Sequence, residues 1–540
     1  MNRLPSHVTT RWQALAVFLA AITGALIHGL LAFPVQDAFH QGEFLAAAFT
    51  VLQGAPFEGL PFTIHGAADL FPALLLDRWL PQRDSLLALT LLSYPLLDAL
   101  AVVIVATTSL RMARIFGVDP LRMLPFMLMA GYGVGWRDLF MVASLAIFTR
   151  LVQAQEASRG QVWRQVLFGL VMAIGTYWSF NRGLAALVAF GLPTLWLATR
   201  SPRYAISMLT AVLAFLAMGL WVPGLGIRAY ADNLLMLLQT AAQWHYPRSS
   251  GRDAWWAVMS AITAVVVVWE IHRLRQTPRP VPQTALRLVM VLAGVMYAKM
   301  ALDRIDPEHL VMAFWWPLLI LATDGPHLPL RPASPWRTGV MVLAALGVAA
   351  GVLAAKNPSL ILPLLILLAG LIALLPGERL RRGMGQAVMT LCLAATLVLA
   401  GRAWTQWRQG AYTWVHDLPR WFTAEQAVMP GIRWSAQSLR AAGAHCVLDL
   451  VNAGLINAVA QLPACSRFTY PVYAGPQHEQ QLLADLQRTA PSAIVYRSDF
   501  WSYAIDGQPM SARFPALDAA ITQMYPREEC QFGFCLRYKP

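Results

Sequence analysis

The chain has 540 residues, of which 57% are hydrophobic and 13% charged, with a mean hydropathy of +0.51. That balance excludes a soluble globular protein, because too few polar residues remain to cover its surface. The formal net charge of +13 is scattered through loops between apolar runs instead of forming one basic face, so nucleic acid is not an expected partner.

Apolar runs long enough to cross a hydrocarbon core of roughly 30 Å as helices recur from Trp12 onward. About thirteen spans are predicted. They lie near residues 13–34, 85–109, 121–135, 138–153, 165–180, 184–199, 203–222, 254–271, 286–302, 309–323, 338–355, 359–375 and 385–403. The fold class is therefore a polytopic α-helical membrane protein. The first run lacks a small-residue cleavage site and is expected to stay as a helix. Loops that fall on the side of the N-terminus hold roughly twice the Lys and Arg of the opposite loops, which puts the N-terminus in the cytoplasm. An odd number of crossings then places the C-terminal region outside. Residues 1–404 form the transmembrane part, with two long outer loops at 35–84 and 223–253, and residues 405–540 form a periplasmic α/β domain.

The first outer loop begins with "FPVQDAFHQGEFLAAA", which sets Asp37, His40 and Glu43 at intervals of three in an amphipathic helix. A Gly/Pro-rich turn and a short interfacial segment follow. In the second loop, "ADNLLMLLQTAAQW" reads as another interfacial helix. After Trp404 the hydropathy falls. "PGIRWSAQSLRAAG", "EQQLLADLQRTAP" and "FPALDAAITQMY" read as helices, while "CVLDLV", "SAIVYRS" and "QFGFCLRY" read as strands. Four of the five cysteines, Cys446, Cys465, Cys530 and Cys535, lie in this tail. An even number in an extracytoplasmic domain favours disulfides. Three pairings are open, of which Cys446 with Cys465 and Cys530 with Cys535 is the simplest. A metal site is the rival reading, though the spacing forms no paired knuckles. The tail is expected to pack over the outer mouth of the membrane part.

Polar residues gather at the outer boundary. His65 and Asp69 follow the first acids, Arg137 and Asp138 share a very short connection, Asn181 and Arg182 open a span, and Lys299, Asp303, Arg304, Asp306 and His309 close one. Ionisable groups at such depth need partners or a wet cavity, which makes each a site candidate. Asp98, inside a span, is expected to serve as a helix-to-helix hydrogen-bonding group. Arginines can hold a phosphate or pyrophosphate bidentately, and a carboxylate can deprotonate an acceptor hydroxyl. Together they suit transfer from an anionic lipid-linked donor. Asp37 is the expected catalytic carboxylate, with Glu43 and His40 placing the acceptor or binding a divalent cation such as Mg or Mn. Arg304 and Arg182, assisted by His309, are the expected phosphate ligands. Asp306, Arg137 and His65 complete the substrate-binding set.

An inside-to-outside first helix, an acidic outer loop with interfacial helices, many further spans and an α/β tail together resemble the GT-C superfamily of membrane glycosyltransferases. "DAFHQGE" sits where that family's essential first-loop acid stands, and "RIDPEH" resembles a polar motif at a later outer boundary of bacterial members. Adjacent acids are absent from the first loop, which leaves metal dependence open. The resemblance implies a bacterial inner-membrane enzyme that moves a hexosyl or pentosyl group from a polyprenyl-phosphate-linked sugar to a glycan, lipid or protein acceptor on the periplasmic face. Two other classes stay open: a transporter or flippase of envelope polysaccharide precursors, and a non-catalytic assembly subunit.

Overall fold

The computed structural model describes residues 11–28, 39–80, 84–153, 159–221, 226–240, 280–303, 429–496 and 509–540, with parts of 264–275 and 315–323. Ten helices come first: α1 (Arg11–His28), α2 (His40–Leu52), α3 (Phe71–Trp79), α4 (Asp84–Phe116), α5 (Leu124–Gly133), α6 (Leu139–Gln153), α7 (Arg159–Trp178), α8 (Phe180–Ala198), α9 (Ala205–Trp221) and α10 (Ile227–Thr240). After them comes α11 (Val281–Asp303). Among the described residues, four stretches, Leu89–Phe116, Phe180–Ala198, Pro202–Trp221 and Val281–Ala301, are long and apolar enough to cross a membrane. The chain is a polytopic helical membrane protein. Leu209, Val212, Leu213, Leu216 and Leu220 of α9 are exposed, an outward apolar face of the kind lipid covers.

The expected run at 121–135 proves to be a 3-10 turn, Pro120–Met123, followed by α5 of only ten residues. That is about half the length a crossing helix needs. Pro120 and Pro125 sit at the first turns of the two pieces, where a missing N–H is harmless. α5 lies against α1, and Gly131 meets the backbone of Ala21 so closely that a Cβ there would clash. Small residues at such crossings let helix backbones approach. The expected spans at 338–355, 359–375 and 385–403 and the boundary at Trp404 lie outside the described residues.

The tail comprises α12 (Pro430–Ala441), α13 (Leu455–Ala460), α14 (Glu479–Thr489), β1 (Ala493–Val495), α15 (Met510–Arg513), α16 (Pro515–Met524), β2 (Arg527–Gln531) and β3 (Phe534–Tyr538). Gly443 has φ +68° and ends α12 in a Schellman pattern, with Ala444 N–H reaching Leu439 O at 3.0 Å and Gly443 N–H reaching Arg440 O at 2.9 Å. The sheet has the order β1-β3-β2, antiparallel throughout. The expected final strand "QFGFCLRY" holds β3, but it opens on the last residue of β2 and the turn of a hairpin. Phe532 and Gly533, both with positive φ, make its two-residue turn, the backbone twist that tight hairpins favour. Cys530 faces Cys535 across it and is bonded to it, and Cys446 is bonded to Cys465.

"CVLDLV" is buried as expected but is not a continuous strand. It makes isolated parallel bridges, Val447 with Ala464 and Asp449 with Val495. The Asp449 carboxylate then accepts the N–H groups of Val451 and Ala453, which turns the chain before a ladder can extend. Burial pushes that carboxyl up to about 7 even against those two donors.

The tail is joined to the first outer loop by backbone and side-chain bonds. Tyr470 donates its hydroxyl proton to Phe39 O at 2.7 Å, and Gly454 N–H reaches the Tyr470 oxygen at 3.1 Å. Ala464 N–H bonds Thr50 Oγ1 at 3.0 Å, and Phe62 N–H bonds Arg467 O at 2.9 Å. Gly42 of α2 faces Gly454 and Leu455 of the tail with no room for a Cβ on either glycine. One apolar core holds Leu45 and Phe49 of α2, Leu87 and Leu91 of α4, and Ile432, Val447 and Ile456 of the tail. A second core holds Phe39 and Phe62 with Phe468 and Tyr473.

Candidate functional site

Beneath this junction, side chains from several connections meet. The short link between α5 and α6 is a 3-10 turn, Trp136–Asp138. It is fixed from three sides: Asp98 of α4 accepts the Trp136 N–H, Trp178 Nε1 donates to Trp136 O at 2.9 Å, and Asp138 Oδ2 accepts Gly135 N–H at 3.1 Å. Asp98 thus acts as a hydrogen-bonding group, as expected, although its partner is a connection instead of another helix.

That turn aims Asp138 at two partners. Its Oδ1 accepts the Tyr297 hydroxyl at 2.6 Å and lies 3.1 Å from Arg182 Nε. The Arg182 guanidinium sits over the Tyr297 ring, 4.7 Å from its centroid, with Nη1 3.5 Å from Met300 Sδ. All three residues are buried, at 2%, 3% and 0% exposure. A buried charge pair of this kind is held by its hydrogen bonds as much as by Coulomb attraction. Arg182 therefore has much of its charge answered by Asp138.

Arg137 differs. It is half-buried, stacks 5.4 Å from the centroid of its neighbour Trp136, and makes no hydrogen bond or ion pair among the described residues. Burial pulls its pKa below the ordinary value, and Arg182 adds to the fall, while Glu43, Asp138 and Asp69 oppose it. Arg137 and Arg182 lie within electrostatic reach of one another in a partly dry setting, where an anion would be favoured beside Arg137.

The first loop supplies the opposite wall. His65 Nδ1 lies 2.8 Å from Asp69 Oδ1, and the other Asp69 oxygen accepts His65 N–H at 3.1 Å. His65 O takes the Phe180 N–H at 3.0 Å, and its ring meets Trp136 edge-on at 5.6 Å. The dyad is thereby tied to the start of α8 and to the α5–α6 turn. Desolvation pushes Asp69 up to about 8, against the lowering effects of the His65 N–H and Arg137. Glu43, from α2, is buried at 8% exposure and accepts a hydrogen bond from the Tyr473 hydroxyl.

The described part of the site therefore joins Glu43, His65, Arg137 and Arg182 of the expected residues. His40 is the first residue of α2, and its side chain lies outside the described residues. Asp37, Arg304, Asp306 and His309 lie outside them too, although α11 ends at Asp303, one turn past Met300. Asp69 and Asp138 are visible in the sequence as members of polar clusters but carry no assigned role there. Tyr297 and Tyr473 are missed, because a tyrosine in an apolar run or a tail loop reads as a packing residue. The signal for Asp138 is its place beside Arg137 in a connection too short to be solvated freely.

A divalent ion would need three ligand groups close together. Among the described residues the only such group is Glu528, Cys530 and Cys535, whose sulfurs are spent in a disulfide. Glu43 is already engaged by the Tyr473 hydroxyl.

No family model matches the sequence, and no curated protein matches it. Among solved structures the chain is similar to ArnT from Cupriavidus metallidurans bound to undecaprenyl phosphate, with 13% identity, 97% of each chain covered and a TM-score of 0.49. The apo form of that protein matches with 13% identity, 97% of each chain covered and a TM-score of 0.48.

Proposed function

We propose that the chain is a membrane glycosyltransferase of the GT-C type that moves a sugar from a polyprenyl-phosphate-linked donor to an acceptor hydroxyl at the outer face of a bacterial inner membrane. The observation that carries the reading is the meeting of Glu43, His65, Asp69, Arg137, Asp138 and Arg182, drawn from three connections, at one end of the bundle under the tail. Acids, an imidazole and arginines gathered where a lipid phosphate enters from the bilayer are the groups that glycosyl transfer from such a donor requires.

In this reading the donor phosphate lies against Arg137, the guanidinium that makes no hydrogen bond or ion pair among the described residues, with Arg304 as the second ligand. Asp138 and Tyr297 hold Arg182 behind it, so Arg182 supplies field and shape more than a direct fork. The acceptor oxygen attacks the anomeric carbon as the bond to the phosphate oxygen breaks, and the lipid phosphate leaves with the electron pair. Asp37 takes the acceptor proton. Glu43, placed by Tyr473, orients the acceptor, and His65 with Asp69 forms the floor. The tail is periplasmic and shapes the acceptor side. The N-terminus is cytoplasmic.

Purified protein in nanodiscs, given a polyprenyl-phosphate-linked radiolabelled sugar and an envelope extract as acceptor, should transfer the label. Asp37→Asn should abolish transfer while inserting normally. Full activity in Asp37→Asn would remove the mechanism, and uptake of unaltered donor into proteoliposomes would replace it with transport.

A further inference from the structure

The first turn of α2 carries His40 and Glu43, so the chemistry proposed above depends on how firmly that turn is held. A helix leaves its first N–H groups without intrahelical partners, and its ends are where it opens most readily. Phe39, the residue before α2, gives no side-chain cap. The tail supplies the hold.

Phe39 O accepts two hydrogen bonds, from the Glu43 N–H at 2.9 Å and from the Tyr470 hydroxyl at 2.7 Å. A carbonyl oxygen has two lone pairs, so both donors are accommodated. The Tyr473 hydroxyl donates to the Glu43 carboxylate. Glu43 is therefore held at its backbone by way of Tyr470 and at its side chain by Tyr473.

The spacing of these two tyrosines is itself fixed. They stand on one 3-10 turn, Pro471–Tyr473, closed by Tyr473 N–H to Tyr470 O at 3.0 Å. Asn452 Oδ1 accepts the Val472 N–H at 3.1 Å, Arg513 Nη2 donates to Val472 O at 2.7 Å, and Gly454 N–H reaches the Tyr470 oxygen at 3.1 Å. Both rings pack against the Phe39 ring, with centroids 5.3 and 6.2 Å away, and all three residues are buried. Gly42 leaves the room for this approach, because a Cβ there would run into the Tyr470 hydroxyl oxygen.

We propose that Tyr470 is a positioning residue for sugar transfer, which fixes the first turn of α2 through the Phe39 carbonyl and so holds the Glu43 carboxylate where the acceptor meets it. The inference rests on the reading of Glu43 as the group that orients the acceptor. A hydroxyl that only stabilised the tail would leave acceptor recognition per folded molecule unchanged. A carboxylate released from its place weakens acceptor recognition and leaves the donor alone.

Tyr470→Phe, in the full chain in nanodiscs, keeps the ring and removes the hydroxyl. Amide hydrogen exchange over residues 40–44 should quicken about three- to tenfold, the worth of one hydrogen bond, with residues 45–52 unchanged. KM for the acceptor should rise by a similar factor, while KM for the polyprenyl-linked donor stays at the wild-type value. Tyr473→Phe should raise the same acceptor KM without quickening exchange over residues 40–44, because it frees only the side chain. Unchanged exchange in Tyr470→Phe would overturn the proposal, and so would quickened exchange with an unchanged acceptor KM. A Glu43 amide that exchanges in the wild type as fast as a frayed helix end would overturn it with no variant at all. The exchange experiment involves no sugar: a wild type that transfers none would remove the proposed reaction, while exchange would still decide whether Tyr470 holds α2.

Discussion

The two ends of the helical bundle handle charge in opposite ways. At the tail end, Asp138, Arg182, His65, Asp69 and Glu43 are buried and each has a protein partner, while Arg137 stands without an acceptor among the described residues. At the other end arginines crowd together on the surface, and among the described residues a buried pair, Glu270 with Arg287, joins helices at 3.4 Å. A membrane protein needs no chemistry to explain basic residues gathered at one of its boundaries. It does need an explanation for an acid-rich, partnered cluster at the other boundary, where each buried charge costs several kcal/mol unless its geometry is satisfied. The difference separates residues that set orientation and lipid contact from residues arranged for a reaction.

The sharpest way to break the comparison is to remove one half of each buried pair. Arg182→Ala leaves Asp138 buried and should lower stability by about 3–5 kcal/mol, read as the shift of the unfolding transition in detergent, and should also abolish sugar transfer. Arg287→Ala should cost a similar amount of stability but leave transfer per folded molecule near the wild-type value. Equal loss of transfer in both would mean that the ends are not functionally distinct.

A smaller effect tests how firmly the tail holds the first loop. Gly42→Ala forces a methyl group into the Tyr470 hydroxyl and the Leu455 backbone and should cost about 1–3 kcal/mol. Limited proteolysis should then cut within residues 53–62 before any cut within α4. Gly54→Ala, where nothing lies within 4 Å of the new Cβ, serves as the control for backbone strain alone, since Gly54 has φ +83°.

The smallest effect is a slope. Asp69 holds its proton up to about 8 in the folded chain against 3.8 as its ordinary value, so the unfolded chain releases a proton that the folded chain keeps. Stability should therefore fall as pH rises between roughly 4 and 8. Asp69→Asn should flatten that fall, and the slope that remains belongs in part to Asp449, pushed up to about 7. Melting curves at pH 5 and pH 8 for both proteins would check the sign.

Much of the frame was legible in the amino-acid order. Apolar runs gave α6 and α9 within two residues and α4, α7, α8 and α11 with ends displaced by four to seven, because hydropathy sets what lipid will accept while capping and polar overhangs set the ends. Glycine and proline marked the ends of α12 and α14 through local backbone rules. "CVLDLV" misled because its apolar pattern hides the one residue, Asp449, whose carboxylate captures backbone N–H groups and halts the ladder. Before "QFGFCLRY" the partner strand β2, "REECQ", went unseen because it is polar and exposed along its length, so no periodicity marks it. At the site, ionisable residues near a membrane boundary were legible through the energy of burying charge. Tyr297 and Tyr473 were not, since their roles exist only through Asp138 and Glu43, partners 159 and 430 positions away. Long-range pairing of this kind leaves no local pattern.

The account depends on groups remote in the chain acting within one chamber. A double-substitution cycle on sugar transfer, using Glu43→Gln, Arg137→Ala and the pair, measures that directly. The account predicts that the double variant loses clearly less than the product of the single losses, with a coupling above about 0.5 kcal/mol, as groups around one substrate do. Losses that multiply, with additivity inside about 0.3 kcal/mol, would contradict it.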